Sequence, residues 1–164
     1  RFEKLLSEIK SCWIKKRNIY ICGNGGSAGN ANHIANDFLY GVGKKNKKGI
    51  RIESLSANSS VLTCLANDIG YEKVYSEQLR VKGNPGDLLI VLSGSGNSKN
   101  VVNAIKMANK MKINTFSILG FDGGKCKKIC KDFIHFKTFD MQIAENLQLS
   151  VLHLCVQILN KNKA

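Results

Sequence analysis

A mostly parallel α/β sheet flanked by helices is the fold class that this 164-residue sequence predicts, and three observations predict it. Short β-rich runs alternate with longer stretches of helical periodicity, the pattern of βα units wound around a parallel sheet. The β-rich runs are apolar and only strand-sized, as expected of strands covered on both faces. Polar, glycine-bearing turns follow three of them, at Gly23–Ser27 (GNGGS), Ser93–Ser98 (SGSGNS) and Gly120–Gly124 (GFDGG). No repeat, low-complexity tail or interdomain linker interrupts the pattern, so residues 1–164 read as one domain with one substantial core.

Residues 1–17 are charged throughout and receive no element; they lack the uninterrupted apolar core of a secretory signal. The first strand is Asn18–Cys22 (NIYIC), followed by a helix over about Ser27–Tyr40. A second strand, Ile50–Leu55 (IRIESL), leads into helices at about Asn58–Ala66 and Tyr71–Lys82. Asn84-Pro85-Gly86-Asp87 is a turn, with proline presetting φ and glycine relaxing the next position. The third strand, Asp87–Leu92 (DLLIVL), precedes a helix over Ser98–Met111 in which Val101, Val102, Ile105, Ala108 and Met111 recur at helical spacing. Strands Asn114–Leu119 and Asp132–Lys137 flank a short helix at Gly124–Cys130, and a final helix runs from about Ala144 to Asn160.

No stretch is long and apolar enough to cross a bilayer, and the chain reads as a soluble cytoplasmic protein. The six cysteines are scattered without a Cys-x-x-Cys pair, and are read as reduced and mostly buried; Cys126 and Cys130 share a helix face in a structural role. Lysine and arginine outnumber aspartate and glutamate by 25 to 12, a formal charge of +13. The lysines spread over the whole chain, and the one dense run, Lys44–Lys48, sits in a glycine-flanked loop without interleaved aromatics. That distribution speaks against a nucleic-acid partner and suits an anionic small substrate equally well.

In open α/β sheets ligands bind beyond the carboxyl ends of the strands, which directs attention to the three turns. The SGSGNS turn combines hydroxyls, glycines that admit close backbone approach, and the amides of a helix N-terminus, an arrangement suited to phosphate. The alternative is that Asn97 or Ser98 serves only as a helix cap. The GNGGS turn lacks the G-x-G-x-x-G pattern and the acidic residue about 20 positions onward that a dinucleotide site needs, so it suits a small polar ligand. Just beyond it, His33 and Asp37 stand at i and i+4, on one helix face. They can ligate one divalent metal, act as an acid/base pair, or simply form an exposed hydrogen bond. Glu145 and His153 are eight residues apart, about 12 Å of continuous helix, too far to ligate one metal together easily. Either Glu145 precedes the regular helix, or one of the two serves a site shared with a neighbouring subunit. His135 has no partner legible in the sequence and is read as structural.

Taken together, Gly23–Asp37 (GNGGSAGNANHIAND), Ala66–Gln78 (ANDIGYEKVYSEQ), Gly86–Asn100 and Gly120–Lys125 resemble, in this order, the sugar isomerase (SIS) domain of the phosphoheptose isomerases. The likeness extends over about residues 18–160. It implies a three-layer, flavodoxin-like fold with five mostly parallel strands, and a homo-oligomer, usually a tetramer, with active sites at subunit contacts. Members of the family carry a further N-terminal helix, so part of one is expected to precede Arg1. The resemblance places phosphate on Ser93, Gly94, Ser95 and Ser98, and sugar hydroxyls on Asn24, Gly25, Gly26, Asn67 and Asp68. It places the metal on His33, Asp37, Glu145 and His153, with zinc the usual ion, one per subunit; Asp37 and Glu145 then also face substrate. This chain has Asp37 where relatives carry Glu, Glu145 where they carry Gln, and Gly94 where they carry Thr; an Arg and a His of the family segment are replaced by Ile143 and Gln148.

The implied reaction is conversion of sedoheptulose 7-phosphate to D-glycero-D-manno-heptose 7-phosphate, for the heptose of bacterial lipopolysaccharide or capsule. It proceeds through an enediol, with Asp37 as base and His153 as acid. Two other readings stand beside it: a non-catalytic SIS-domain protein of the replication-initiator-associating type, and an isomerase of another sugar phosphate such as arabinose 5-phosphate. The non-catalytic relative has lost the carboxylate and the last histidine, which this chain retains as Asp37 and His153.

Overall fold

Alternate residues of the central strands face opposite ways, and each face is apolar. Ile19, Ile21, Leu88, Ile90 and Leu92 point to one side, whereas Tyr20, Cys22, Leu89 and Val91 point to the other. A sheet built this way must be covered on both faces, and it is. The computed structural model of the chain describes residues 1–44 and 48–161. These form β1 (Ile19–Cys22), β2 (Ile52–Ser54), β3 (Leu88–Ser93), β4 (Asn114–Leu119) and β5 (Asp132–His135), all parallel, in the order β2-β1-β3-β4-β5. The expected three layers and parallel sheet are thus observed.

One face is covered by α1 (Phe2–Ile14), α2 (Gly26–Asn36) and α7 (Met141–Lys161). The other carries α4 (Val74–Lys82), α5 (Lys99–Lys110) and α6 (Gly124–Ile129), with α3 (Ser59–Ile69) packed at its margin without a fully buried residue. Three elements differ from expectation. Residues 2–14 are helical: their charges lie outward while Leu5, Ile9 and Cys12, at i, i+4 and i+7, seal the sheet. The helix expected over Ser27–Tyr40 changes register at Asp37, where a π-helical turn (Asp37–Gly41) takes over and the Val42 amide donates to the Asp37 carbonyl. The helix expected from Ala144 begins three residues earlier, at Met141, so Glu145 lies inside it. Of the basic run, Lys45, Asn46 and Lys47 lie outside the described residues.

All six cysteines are free, and every one except Cys64 is buried. Burial pushes the thiols up from 9.0, to about 11 at Cys12 and about 12 at Cys126 and Cys155. The folded state therefore holds protons that the unfolded chain releases above pH 9. Stability is expected to fall as pH rises from 9 through 11–12, and urea midpoints at pH 8 and pH 10 will measure it. No described helix is long and apolar enough to cross a membrane.

Candidate active site

β1, β3 and β4 end at one rim of the sheet, and the turns that follow them lie against one another there. After β3, the Ser93 side chain is buried and its hydroxyl accepts the Gly96 amide (2.9 Å), which bends the chain into a cup. Gly96 has φ +65°, and a Cβ there would overlap the Gly123 carbonyl of the loop after β4. That neighbouring loop is tied on by the Lys125 amide donating to Asn97 Oδ1 (3.1 Å) and the Cys126 amide donating to the Gly96 carbonyl (2.9 Å). Gly96→Ala is therefore expected to destabilise the protein by about 1–3 kcal/mol, read as a lowered thermal midpoint together with weakened phosphate binding.

Neither Asn97 nor Ser98 acts as the side-chain cap that was the simpler reading of this turn. Ser98 occupies the N-cap position of α5 without a side-chain capping bond, and the Asn97 amide instead braces the loop through Ser95 and Lys125. Ser95 and Ser98, both partly exposed, lie at the positive end of α5, where the Ser95 hydroxyl accepts the Asn97 amide (3.3 Å). Gly94 is buried beneath the Met141 thioether. Lys99, Lys106 and Lys125 line a cavity of about 170 Å³ beside Asn97. No periodicity in the sequence links these lysines, because they come from α5 and from the first turn of α6.

Asn24, Gly25 and Gly26 follow β1. Gly25 has φ +56° and open space before it, and a Cβ on Gly26 would strike the Glu145 carboxylate. The Asn24 side chain is held by its neighbours: its Oδ1 accepts from Tyr71 OH (3.0 Å), Tyr75 OH (3.2 Å) and Asn100 Nδ2 (2.8 Å), and its Nδ2 donates to Asn100 Oδ1 (2.9 Å). Asn67 and Asp68 are exposed near the end of α3, where Asn67 Nδ2 donates to Asp68 Oδ1 (2.9 Å) and Cys64 Sγ to Asp68 Oδ2 (3.6 Å). His135 Nε2 lies 2.9 Å from the Phe121 carbonyl and its Nδ1 3.2 Å from Lys127 Nζ, a pair of partners that makes it a loop brace.

α2 and α7 run side by side in the same direction, from Gly26 beside Glu145 to His33 beside His153. At the second pair of positions three ligand atoms converge. His33 Nε2 and His153 Nε2 are 2.9 Å apart, and each is 3.4 Å from Asp37 Oδ2. The π turn begins at Asp37, and such turns recur at functional sites. Three acceptor-capable atoms meet here, and one proton can bridge only two of them. A cation fits better: tetrahedral zinc with bonds near 2.0–2.1 Å needs ligand atoms about 3.3 Å apart. Among the described residues this trio is the group suited to a metal. Glu145 stands apart from it in the same chain. α7 is continuous from Met141, so the eight residues to His153 span about 12 Å, and the reading in which Glu145 precedes the regular helix is corrected.

The parallel five-stranded sheet carries a serine–glycine cup at its carboxyl rim and an imidazole–carboxylate trio on one flank, and the SIS domain model matches residues 1–120. The chain is 39% identical over 146 residues to the phosphoheptose isomerase of Helicobacter pylori strain P12, covering 89% of this chain and 76% of that one. It is 37% identical over 143 residues to the phosphoheptose isomerase of Akkermansia muciniphila, covering 87% and 75%. Its fold matches the structure of a phosphoheptose isomerase from Neisseria gonorrhoeae with a TM-score of 0.91 at 27% identity, over 98% of this chain and 85% of that one. The chain belongs to the phosphoheptose isomerase family of SIS-domain proteins.

Proposed function

We propose that this chain is an aldose–ketose isomerase that converts sedoheptulose 7-phosphate to D-glycero-D-manno-heptose 7-phosphate, in the supply of heptose for a bacterial surface polysaccharide. The observation that carries the reading is the meeting of Asp37 and His153, 116 positions apart in sequence, at 3.4 Å. The Ser95–Ser98 cup grips the phosphate, and that remote binding orients the reacting carbons. Asp37 takes the proton from C1 of the ketose while His153 protonates the C2 oxygen, giving the enediol. Returning the first proton to C2, with the O1 proton passing back to the imidazole, leaves the aldehyde at C1.

His33, Asp37 and His153 would hold a divalent ion, with zinc suited to two imidazoles and a carboxylate; His153 would then ligate through Nε2 and keep its exchangeable proton on Nδ1, and Asp37 would ligate through Oδ2 and keep Oδ1 as the base. Such an ion, when bound, polarises the substrate carbonyl. Seven residues of α2 separate His33 from Gly26, about 10 Å of helix, and the cup leads into α5 on the opposite face of the sheet. That separation supports an active site completed between chains of a homo-oligomer, a tetramer in our reading, in which Glu145 faces the substrate of a neighbouring subunit. The enzyme is assigned to the cytoplasm.

Incubation with sedoheptulose 7-phosphate, with zinc and with a chelator, followed by NMR, tests the assignment; an aldose product that disappears on chelation is expected. Inertness toward this and other sugar phosphates would overturn it. The double variant Ser95→Ala/Ser98→Ala is expected to weaken calorimetric affinity for the sugar phosphate by roughly tenfold or more, as loss of two charge-assisted hydrogen bonds requires. Unchanged affinity would remove the cup from the site.

A further inference from the structure

Asn24 and Asn100 form a closed pair. Each carboxamide donates to the other, at 2.9 and 2.8 Å, and Asn100 Oδ1 also accepts the Val101 amide (2.9 Å). Asn24 belongs to the turn that opens α2, and Asn100 to the first turn of α5, two residues beyond Ser98. The pair therefore ties the glycine turn after β1 to the phosphate cup after β3, across adjacent strands. Two phenols close the Asn24 end. Tyr75, 1% exposed, donates to Asn24 Oδ1 and the Gly23 carbonyl and is linked to Ser56 after β2, so three strand ends are laced together. Tyr71, 54% exposed, adds its hydroxyl to Asn24 Oδ1 from the solvent side.

The asymmetry between the two tyrosines carries the inference. A buried hydroxyl such as that of Tyr75 must be paired for the chain to fold, whatever else it does. Tyr71 is about half exposed, and its hydroxyl would be as well satisfied by water; the geometry it serves is the orientation of Asn24. Asn100 is 2% exposed, and without it Asn24 Nδ2 would lose its partner. We propose that Asn100 and Tyr71 are positioning residues whose bonds to Asn24 set the span between the phosphate cup and the Gly25–Gly26 turn, and thereby select the length of sugar phosphate turned over. The inference rests on the isomerase reading above and adds to it a determinant of substrate size. A substrate anchored at one end by its phosphate presents its carbonyl at a distance fixed by its carbon count, so slack in this span misplaces the reacting carbons.

The test compares wild type with Tyr71→Phe, Asn100→Asp and Asn100→Leu. Asn100→Asp still accepts from Asn24 Nδ2 and the Val101 amide but no longer donates to Asn24 Oδ1. Displacements of about 1 Å cost up to a hundredfold in rate. Tyr71→Phe is accordingly expected to lower kcat/KM for sedoheptulose 7-phosphate by roughly tenfold and to narrow its preference over arabinose 5-phosphate. Its thermal midpoint and its Kd for inorganic phosphate should both stay at the wild-type values. Asn100→Leu should show the larger kinetic loss and Asn100→Asp an intermediate one. Wild-type kinetics and preference in both Tyr71→Phe and Asn100→Asp overturn the proposal, as does a loss of phosphate affinity parallel to the loss of sugar-phosphate affinity. Should wild type prove inert, the isomerase reading fails separately, and calorimetry with the two sugar phosphates decides: a wild-type preference lost in Tyr71→Phe supports the span, and no preference, or one retained, overturns it.

Discussion

Asp37→Asn is expected to lower kcat for sedoheptulose 7-phosphate by roughly a hundredfold to ten-thousandfold, the usual contribution of a positioned general base. The amide matches the carboxylate in shape but has neither its charge nor its basicity. Folding should be little disturbed, because the bond that builds the π turn runs from the Val42 amide to the main-chain carbonyl of Asp37. Circular dichroism and thermal melting serve as the control. Asp37→Glu keeps the carboxylate, so it should retain turnover where Asp37→Asn does not. Near-normal kcat in Asp37→Asn would remove the base assignment.

His153→Ala is the second large effect, with an expected loss of roughly a hundredfold or more in kcat and a lower zinc stoichiometry in the same preparation. Truncation leaves His33 and Asp37 as a pair on one helix, a set common on protein surfaces without any ion. The histidine side chain is 38% exposed, so its removal creates no closed cavity and the melting temperature should hold. Two readouts separate the roles: zinc content reports ligation, and partial recovery of turnover with added imidazole reports the acid. Undiminished turnover and zinc content together would contradict both.

The strands were legible because each is an apolar run bounded by turn residues, and four of the five end within one residue of the expected carboxyl end; β5 stops two residues early, at His135. α1 was not, since its three buried residues are diluted among charges that mask the period. The cup was legible as a turn of small polar residues at a strand exit. The resemblance placed Asn24 on a sugar hydroxyl; the three donors to its Oδ1 come from Tyr71, Tyr75 and Asn100, 47 to 76 positions away, and no local pattern announces them. The His33–Asp37 pair follows from helical spacing. Its junction with His153 does not, because it depends on α2 and α7 lying alongside each other, which only the packed fold determines. The resemblance gave Asn67 and Asp68 to the sugar hydroxyls; within one chain they bond to each other, and Asp68 to Cys64, at the edge of the helical layer.

α7 also meets three of the strand-exit glycines: Met141 covers Gly94, Ala144 abuts Gly120, and Glu145 leans on Gly26, while the same unbroken helix carries His153 to its metal-suited partners. In the proposed mechanism, substrate anchoring and proton shuttling are thereby mounted on a single rod. A pivot of that rod would shift both operations at once, so substitutions that retune one end should alter the other even where no contact joins them.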